Sequence, residues 1–268
     1  MLRKLLKYEL RSICQTMLPL YGAVLVIGAI NAFFHNSSIL KENLKNILGI
    51  VYIALLIAMI TFCLVVAVQR FYHGLLSEEG YLMFTLPVKP WQHIVSKMLS
   101  TSLMLIAGAA VTIITLILLF IGAGVDWGEF SSEIGYVFQA AFQQYSYHFF
   151  LYAAEFILLV LIAMEKQILK IYAAISIGHL FSRYRLIASF IAYALLGTVF
   201  SSAWGMIGGV LDLFHLKDLL VEWFIPESYP MSYALHIFFL VGIVWQGIEC
   251  IVHWFITHTI LSKYLNLE

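Results

Sequence analysis

Charged residues are scarce in this sequence. Only 11% of its 268 residues are Asp, Glu, Lys or Arg, whereas 62% are hydrophobic. Soluble domains carry about 25% charged residues and about 45–50% apolar ones. No soluble fold could bury that much apolar surface, so the bilayer must be the solvent for most of it. The formal net charge is zero, which gives no indication of a nucleic-acid partner.

Cysteine is scarce too. Cys14, Cys63 and Cys250 lie in or beside apolar stretches, far apart in the sequence, and there is no C-x-x-C pattern. This distribution argues against a disulfide framework and against a zinc or redox site of that kind. The first residues mix charged with apolar side chains and lack a small-residue cleavage site, so we interpret them as part of the mature protein.

Motifs of several enzyme classes are missing. The sequence has no G-x-x-x-x-G-K-[ST] phosphate loop, no H-E-x-x-H and no G-x-S-x-G. Glu78 and Glu79 are followed by Met83, where a membrane protease of the E-E-x-x-x-R type needs Arg. We therefore predict no catalytic residue, no metal site and no cofactor in this chain. Energy for any transport must come from a partner or from a gradient.

Long apolar stretches recur along the chain. Each can cross the roughly 30 Å of a bilayer's hydrocarbon core, which takes about 20 helical residues. The predicted spans are Met17 to Phe34, Ile47 to Val68, Met98 to Val125, Leu158 to Phe181, Leu186 to Leu211 and Ala234 to Leu261. The chain is thus predicted to be an all-α membrane protein with one transmembrane domain over residues 1–268.

The distribution of Lys and Arg predicts the orientation. With six spans both termini lie on one side, and most basic residues fall there: Arg3, Lys4, Lys7, Arg11, Arg70, Lys89, Lys97, Arg183, Arg185 and Lys263. The positive-inside rule then places both termini in the cytoplasm of a multi-pass cell-membrane protein. Loops on the other side carry acidic residues, among them Asp126, Glu129 and Glu133, which are explained by solvation or by attraction of a cationic substrate.

The fourth span leaves alternatives open. The apolar stretch from Phe149 to Phe181 is too long for one crossing and is interrupted by Glu165, Lys166 and Lys170. It could form one long helix or a broken one, and two crossings here would give seven spans. The three charged residues could neutralise one another or line a path for substrate or ions.

Residues 1–16 are predicted to form an amphipathic helix in the cytoplasmic interface. Leu2, Leu5, Leu6, Leu10 and Ile13 recur at helical spacing, with basic residues toward the other side. Glu9 breaks this pattern by pointing into the apolar face. A buried carboxylate needs a partner, so we expect Glu9 to meet a base on another segment.

The segment 70–97, between spans two and three, is too polar to cross the membrane and too apolar for a free loop. A short helix on the cytoplasmic face satisfies both facts, with Gly80 allowing a turn and Pro87 and Pro90 ending the segment. Glu78 and Glu79 form an adjacent acidic pair on this side. They could bind a basic patch on a partner or simply keep the segment out of the bilayer.

This segment resembles the permease subunits of type-2 ATP-binding-cassette exporters. The resemblance lies in Glu79-Gly80-Tyr81 and, after an apolar run, Leu86-Pro87-Val88. The KYEL at 7–10 and the KYLNLE at 263–268 are also similar to small permeases of this group, and the six-span layout extends the likeness over the whole chain. The resemblance implies a coupling helix at Glu78, Glu79, Gly80 and Pro87 that docks on a separate ATPase holding ATP and Mg²⁺. It also implies a second permease copy or a related permease.

Span five carries small residues at strict intervals of four, which we call the small-residue ridge: Gly197, Ser201, Gly205 and Gly209. Such a ridge lets another helix approach closely. The contact could lie within the subunit, or across a dimer as the resemblance favours.

Span six carries Gly242, Gln246, Glu249, His253 and Thr257 within a narrow arc. Because ionisable groups are costly against lipid, this stripe should face protein or water. A metal site at Glu249 and His253 would lack an evident third ligand, so the alternatives are a buried pair or the lining of a pathway. We predict that Gln246, Glu249, His253, Glu165 and Lys166 line the pathway.

Together with the resemblance, these observations predict the membrane subunit of an exporter. A gradient-driven carrier or channel that uses the charges of spans four and six is the alternative, and an intramembrane enzyme is the third.

Overall fold

The computed structural model describes residues 2–35, 41–76, 80, 88–124, 126–145, 147–181, 183–213 and 231–264. Helices make up nearly all of this part of the chain. Their bounds are α1 Leu2–His35, α2 Glu42–Leu76, α3 Pro90–Gly122, α4 Trp127–Tyr145, α5 His148–His179, α6 Arg185–Leu213 and α7 Met231–Thr259. A π-helical turn, Ile260–Tyr264, continues α7.

Within the described residues, six helices are long and apolar enough to cross a membrane, as predicted. They are α1, α2, α3, α5, α6 and, with its π-helical turn, α7. Helix α5 is a single helix of 32 residues, so the fourth span is one long helix and not a broken one. Its length, about 48 Å, exceeds the hydrocarbon thickness of about 30 Å.

Residues 2–16 are helical and continue directly into the first span. Helix α1 has 34 residues and contains Pro19. The location of residues 2–16 in the membrane interface stays a prediction.

Helix α4 corrects the prediction of a loop after the third span. Glu129 and Glu133 lie within this helix, and Asp126 accepts a hydrogen bond from the backbone N–H of Gly128 at 2.8 Å. Asp126 thus acts as the N-cap, where a carboxylate satisfies a free backbone donor. The loop prediction was wrong because it weighed the acidic residues and not the apolar spacing of Phe130, Ile134, Val137, Phe138 and Ala141.

The chain forms two compact units. Unit 1 comprises residues 1–75 and 82–137, and unit 2 comprises residues 76–81 and 138–268.

The core of unit 1 lies where α1, α2 and α3 pack together. Buried side chains recur on one face of α1 at the spacing of a packed helix, and they meet a similar face of α2: Ile13, Met17, Tyr21 and Val24 with Tyr52, Met59, Cys63 and Val66. The Tyr21 hydroxyl donates to the backbone oxygen of Met104 at 2.7 Å. The hydroxyls of Tyr52 and Thr115 lie 2.7 Å apart. These bonds satisfy buried polar groups and fix α3 against the other two helices.

Glycine allows α1 and α3 to approach closely at two points. A Cβ on Gly28 would lie 2.8 Å from Cγ2 of Thr115. A Cβ on Gly122 would overlap the backbone oxygen of Ala32. Any larger residue at Gly122 would therefore have to separate the two backbones.

In unit 2 the burial is concentrated at one end of α5 and α7. The second half of α5 contributes Ile168, Leu169, Tyr172, Ala173, Ala174, Ile175, Ser176 and Gly178, and α7 with its π-helical turn contributes Glu249, His253, Thr257, Ile260 and Leu261. In α6, Ala192 alone is buried. The wide apolar faces that remain exposed on these helices are typical of surfaces that contact lipid.

Candidate functional site

Unit 2 gathers the charged residues of the fourth and sixth spans into one place, the α5–α7 cluster. It consists of Glu165, Lys166 and Lys170 from α5 and Gln246, Glu249 and His253 from α7. Positions four apart on a helix share one face, so each helix presents its polar residues together.

An ion pair links the two helices of the cluster. Nζ of Lys166 lies 3.8 Å from Oε2 of Glu249, and their side chains are 19% and 11% exposed. This distance is too long for a hydrogen bond, so the attraction is that of two nearby charges. The sequence allowed Glu165 and the lysines to neutralise one another, and the structure shows that Lys166 also meets Glu249 on α7.

Lys170 lies next to α6. Its ammonium nitrogen is 4.1 Å from the centre of the Tyr193 ring, a cation–π contact. A Cβ on Gly197 would lie 2.7 Å from this nitrogen, so the glycine provides the space that Lys170 occupies. The sequence pointed to Lys170 and Gly197 separately and missed Tyr193 as their neighbour.

His253 and Glu249 are both buried, so the prediction that both are shielded is confirmed. Neither ring nitrogen of His253 has a hydrogen-bond partner among the described residues, and the same is true of Oε1 of Gln246. The His253 ring packs against Phe200 with 5.1 Å between the ring centres. Each such buried atom costs about 1–3 kcal/mol when it lacks a partner.

The α5–α7 cluster is therefore chemically under-satisfied. It contains acceptors on Gln246, Glu249 and His253 and cations on Lys166 and Lys170, with spare hydrogen-bonding capacity in the interior of a membrane protein. Within the described ranges, no group of three His, Cys, Asp or Glu side chains could hold a metal ion. The arrangement can bind or pass a polar group or an ion; the role of these residues as a pathway lining stays a prediction.

Unit 1 contains a second polar cluster, the Glu9 network of Glu9, Ser12, Arg70 and Lys97. Lys97 donates to Oε1 of Glu9 at 2.8 Å, and Nη1 of Arg70 lies 3.7 Å from Oε2. The expectation that Glu9 meets a base on another segment is confirmed. It meets two, one from α2 and one from α3.

Further hydrogen bonds complete the Glu9 network. Lys97 also donates to the backbone oxygen of Arg70 at 3.1 Å, and Nη2 of Arg70 donates to the Ser12 hydroxyl at 2.9 Å. A Cβ on Gly74 would lie 2.6 Å from Nζ of Lys97, so the ammonium lies directly over the α2 backbone. The network therefore joins the last turns of α2 and the first turns of α3 to α1.

The predicted coupling residues lie mostly outside the described part of the chain. Glu78, Glu79 and Pro87 are beyond it, and their role stays a prediction. Gly80 is described and buried. Pro90 begins α3, a helix position where the missing N–H of proline has no cost.

The structure divides the small-residue ridge. Gly197 faces Lys170 within unit 2, whereas Ser201, Gly205 and Gly209 are exposed. A Cβ on Gly205 or Gly209 would meet no atom within 4 Å. The one part of the ridge thus serves a contact within the subunit, and the other part has room for a further helix.

Sequence analysis missed a third polar group, the histidine chain of Glu155, His236 and His148. Nδ1 of His236 lies 2.8 Å from both carboxylate oxygens of Glu155. Nε2 of His236 lies 2.8 Å from Nδ1 of His148. Only the three-dimensional packing of α5 against α7 brings together residues so distant in sequence. The one signal in the sequence was His236, an ionisable residue inside a predicted span.

Comparisons with protein-family models, curated proteins and solved structures found no match to this chain.

Proposed function

We propose that this chain is the membrane-spanning permease subunit of an ATP-binding-cassette transporter, of the exporter type. Two such subunits, or this chain with a related one, would form the translocation pathway. ATP with Mg²⁺ would be bound and hydrolysed on separate ATPase subunits, in agreement with the lack of a phosphate-loop motif in this sequence. The chain itself would be no enzyme.

The Glu9 network is the observation that carries the proposal. A transporter powered by a separate ATPase needs a cytoplasmic segment that transmits motion to its helices. Arg70 and Lys97, at the two ends of this segment, both contact Glu9 on α1. The side chain of Lys97 is 5% exposed and that of Glu9 is 12% exposed. A displacement of this segment would therefore reach three helices together.

In this proposal the α5–α7 cluster borders the pathway, and the exposed part of the small-residue ridge contacts the second permease. Both termini would lie in the cytoplasm of a cell-membrane protein. Single cysteines at Leu2, Asp126 and Glu268, in a background without Cys14, Cys63 and Cys250, test this orientation. Position 126 should react with an impermeant maleimide in intact cells; reaction of position 268 from outside would overturn the orientation.

Charge reversal of the acidic pair tests the coupling. We expect Glu78→Lys with Glu79→Lys to leave the protein inserted but to weaken ATPase association at least tenfold, because desolvated interface charge pairs are worth a few kcal/mol. The measurement is co-purification of the co-expressed ATPase, together with its hydrolysis rate.

The matched control is Glu129→Lys with Glu133→Lys, which changes the net charge equally at exposed positions of α4. This control should bind the ATPase normally. If the Glu78, Glu79 variant also binds it fully, the pair only keeps the segment out of the bilayer and the coupling proposal is wrong.

The α5–α7 cluster favours a second candidate function, a gradient-driven carrier or channel. Intramembrane ionisable residues commonly mark ion and proton pathways. Reconstitution of the purified chain alone distinguishes the two functions. Ion or proton flux without any ATPase, lost in Glu249→Gln, would support the carrier or channel and overturn the exporter.

A further inference from the structure

Unit 1 contains a cavity of about 1050 Å³, which we call the unit 1 cavity. It lies between the last turns of α1, the first turns of α2 and the last turns of α3. Sites for small molecules usually have volumes of roughly 300–1,000 Å³, so this one is large enough for an extended ligand. The Glu9 network lies about 33 Å away along α1, near the other end of that helix.

The unit 1 cavity has a polar end and an apolar end. The polar end is formed where α1 ends and α2 begins, by His35, Glu42, Lys45 and Asn46. Further along α2 and on α3 the lining is apolar: Ile50, Ile53, Leu116, Leu119 and Phe120. These three helices are long and apolar enough to cross a membrane. The polar end therefore falls at the level of lipid headgroups, and the apolar end falls within the hydrocarbon.

The two charged groups at the polar end can each bind a ligand. Nζ of Lys45 donates a hydrogen bond to the backbone oxygen of His35 at 2.8 Å. An ammonium group has three donors, so two of them remain. Glu42 lies one turn before Lys45 and is exposed, and the two form no ion pair in the part of the chain that the structure describes. The mouth of the cavity thus offers one cation and one anion.

Asn31 offers a further polar group inside the cavity. Its side chain lines the cavity and is only 6% exposed. Among the described residues its amide has no hydrogen-bond partner. Burying an amide without a partner is unfavourable, so this side chain indicates a polar group on a ligand. Asn31 lies four residues before His35, which places that group about 6 Å deeper than the end of α1.

The order of these groups matches one class of amphiphile. A zwitterionic phospholipid carries an ammonium and a phosphate at its surface, ester oxygens below them and acyl chains below those. Glu42 can accept from the ammonium, and Lys45 can donate to the phosphate. The Asn31 amide can donate to an ester oxygen, and the apolar end can hold an acyl chain.

We propose that the unit 1 cavity binds one zwitterionic phospholipid with a primary ammonium, a phosphatidylethanolamine. The headgroup lies between Glu42 and Lys45, and one acyl chain lies against α2 and α3. The site does not depend on the proposed transport function, and it is made by unit 1 alone.

Native mass measurement of the full chain in detergent tests the site. The probes are palmitoyl-oleoyl phosphatidylethanolamine and palmitoyl-oleoyl phosphatidylglycerol, which have the same acyl chains. We expect one molecule of phosphatidylethanolamine to be retained, with an affinity at least about threefold higher than that of phosphatidylglycerol. The difference arises because the anionic lipid has no ammonium to offer Glu42.

Filling the cavity tests its role in binding. A Cβ on Gly49, which lines the cavity, would meet no atom within 4 Å. Gly49→Leu therefore places a side chain in the space that the acyl chain needs, and it should weaken binding at least about tenfold. The matched control is Gly22→Leu in α1, where a Cβ also meets no atom within 4 Å and which lies outside the cavity lining. It should bind the lipid normally.

A variant at Glu42 tests the headgroup. Glu42→Gln should weaken binding of phosphatidylethanolamine about threefold, as expected for one exposed charge pair. Binding of phosphatidylglycerol should stay unchanged or improve. Glu129→Gln, which removes the same charge at an exposed position of α4, should alter neither affinity.

Two results would overturn the proposal. One is equal retention of the two lipids by the unmodified chain, as expected of lipid that only coats the protein. The other is unchanged binding of phosphatidylethanolamine by a Gly49→Leu variant with the normal melting temperature. If that variant melts early, Glu42→Gln decides alone, and an unchanged lipid preference would then refute the site.

Discussion

The carboxylate of Glu9 in unit 1 receives an ammonium at 2.8 Å and faces a guanidinium at 3.7 Å, whereas that of Glu249 in unit 2 meets Lys166 only at 3.8 Å. The Glu9 network adds hydrogen bonds to Ser12 and to a backbone oxygen. The α5–α7 cluster leaves both nitrogens of His253 and one oxygen of Gln246 without partners in the described residues.

This difference separates a structural cluster from one with spare capacity. A buried network in which every group is paired rigidifies the segments that it joins. A partly satisfied cluster costs folding free energy, and such sites persist where the unpaired groups are used for function. The comparison therefore predicts a structural role for the Glu9 network and leaves the α5–α7 cluster with unpaired polar atoms that a ligand could satisfy.

The largest effect is expected in the Glu9 network. Lys97→Met should destabilise the protein by about 3 kcal/mol, because it leaves the Glu9 carboxylate without its nearest cation. Thermal unfolding in detergent measures the loss.

The double variant Glu9→Gln with Lys97→Met is the control for that experiment. It should recover part of the stability, since no uncompensated charge remains. Full stability of the single variant would contradict the comparison, because the Glu9 network would then contribute nothing to the stability of the protein.

Close helix packing in unit 2 should give the next effect. A Cβ on Gly178 would overlap the Ser189 hydroxyl and lie 2.7 Å from the backbone oxygen of Arg185. Gly178→Ala should therefore cost about 2 kcal/mol through overpacking, measured by the same unfolding assay. Gly205→Ala, with no atom near the new methyl group, should be neutral or slightly stabilising. Equal losses in both variants would contradict this packing.

His253→Phe is expected to change the stability in the opposite direction, toward a gain. Replacing the ring removes two buried nitrogens that lack partners and keeps the contact with Phe200. Stability should rise by about 1 kcal/mol or stay unchanged. His93→Phe is a suitable reference for a fully buried histidine in unit 1. A large loss of stability in His253→Phe would show that the ring nitrogens of His253 have hydrogen-bond partners within unit 2.

The smallest effect on stability is expected at the exposed part of the small-residue ridge. Gly205→Leu should leave the melting temperature of the monomer nearly unchanged while weakening assembly with a second permease, because the added bulk blocks close helix approach. Crosslinking and native mass measurement of the purified complex test this. Gly197→Leu, which would displace Lys170, should instead lower the monomer's stability. Normal assembly of the Gly205 variant would show that the ridge makes no dimer contact.

The sequence was sufficient for the spans and insufficient for the contacts between them. Apolar stretches predict six crossings because lipid imposes length and composition directly. The burial of Glu249 and His253 was predicted from the cost of placing ionisable groups against lipid, and the same cost predicted a partner for Glu9. The identity of that partner, Lys97, depends on packing between α1 and α3, which no local pattern encodes. The histidine chain was missed for the same reason, because His148 and His236 are 88 positions apart.

The helix α4 was missed for a different reason. Its apolar residues follow helical spacing, but they are interleaved with acidic side chains that were weighed as loop composition. The periodicity of Phe130, Ile134, Val137 and Phe138 was a sufficient signal.

The pairing of Glu9 with Lys97 also sets an order of events during biosynthesis. The two residues are 88 positions apart, and chains grow at about 5–20 residues per second, so Glu9 waits about 4–18 s for its nearest cation. Arg70 appears earlier and offers the first opposite charge. Until Arg70 and then Lys97 emerge, the carboxylate has to remain in contact with water or accept a proton. The first helix to be synthesised in unit 1 is thus among the last to reach its final packing.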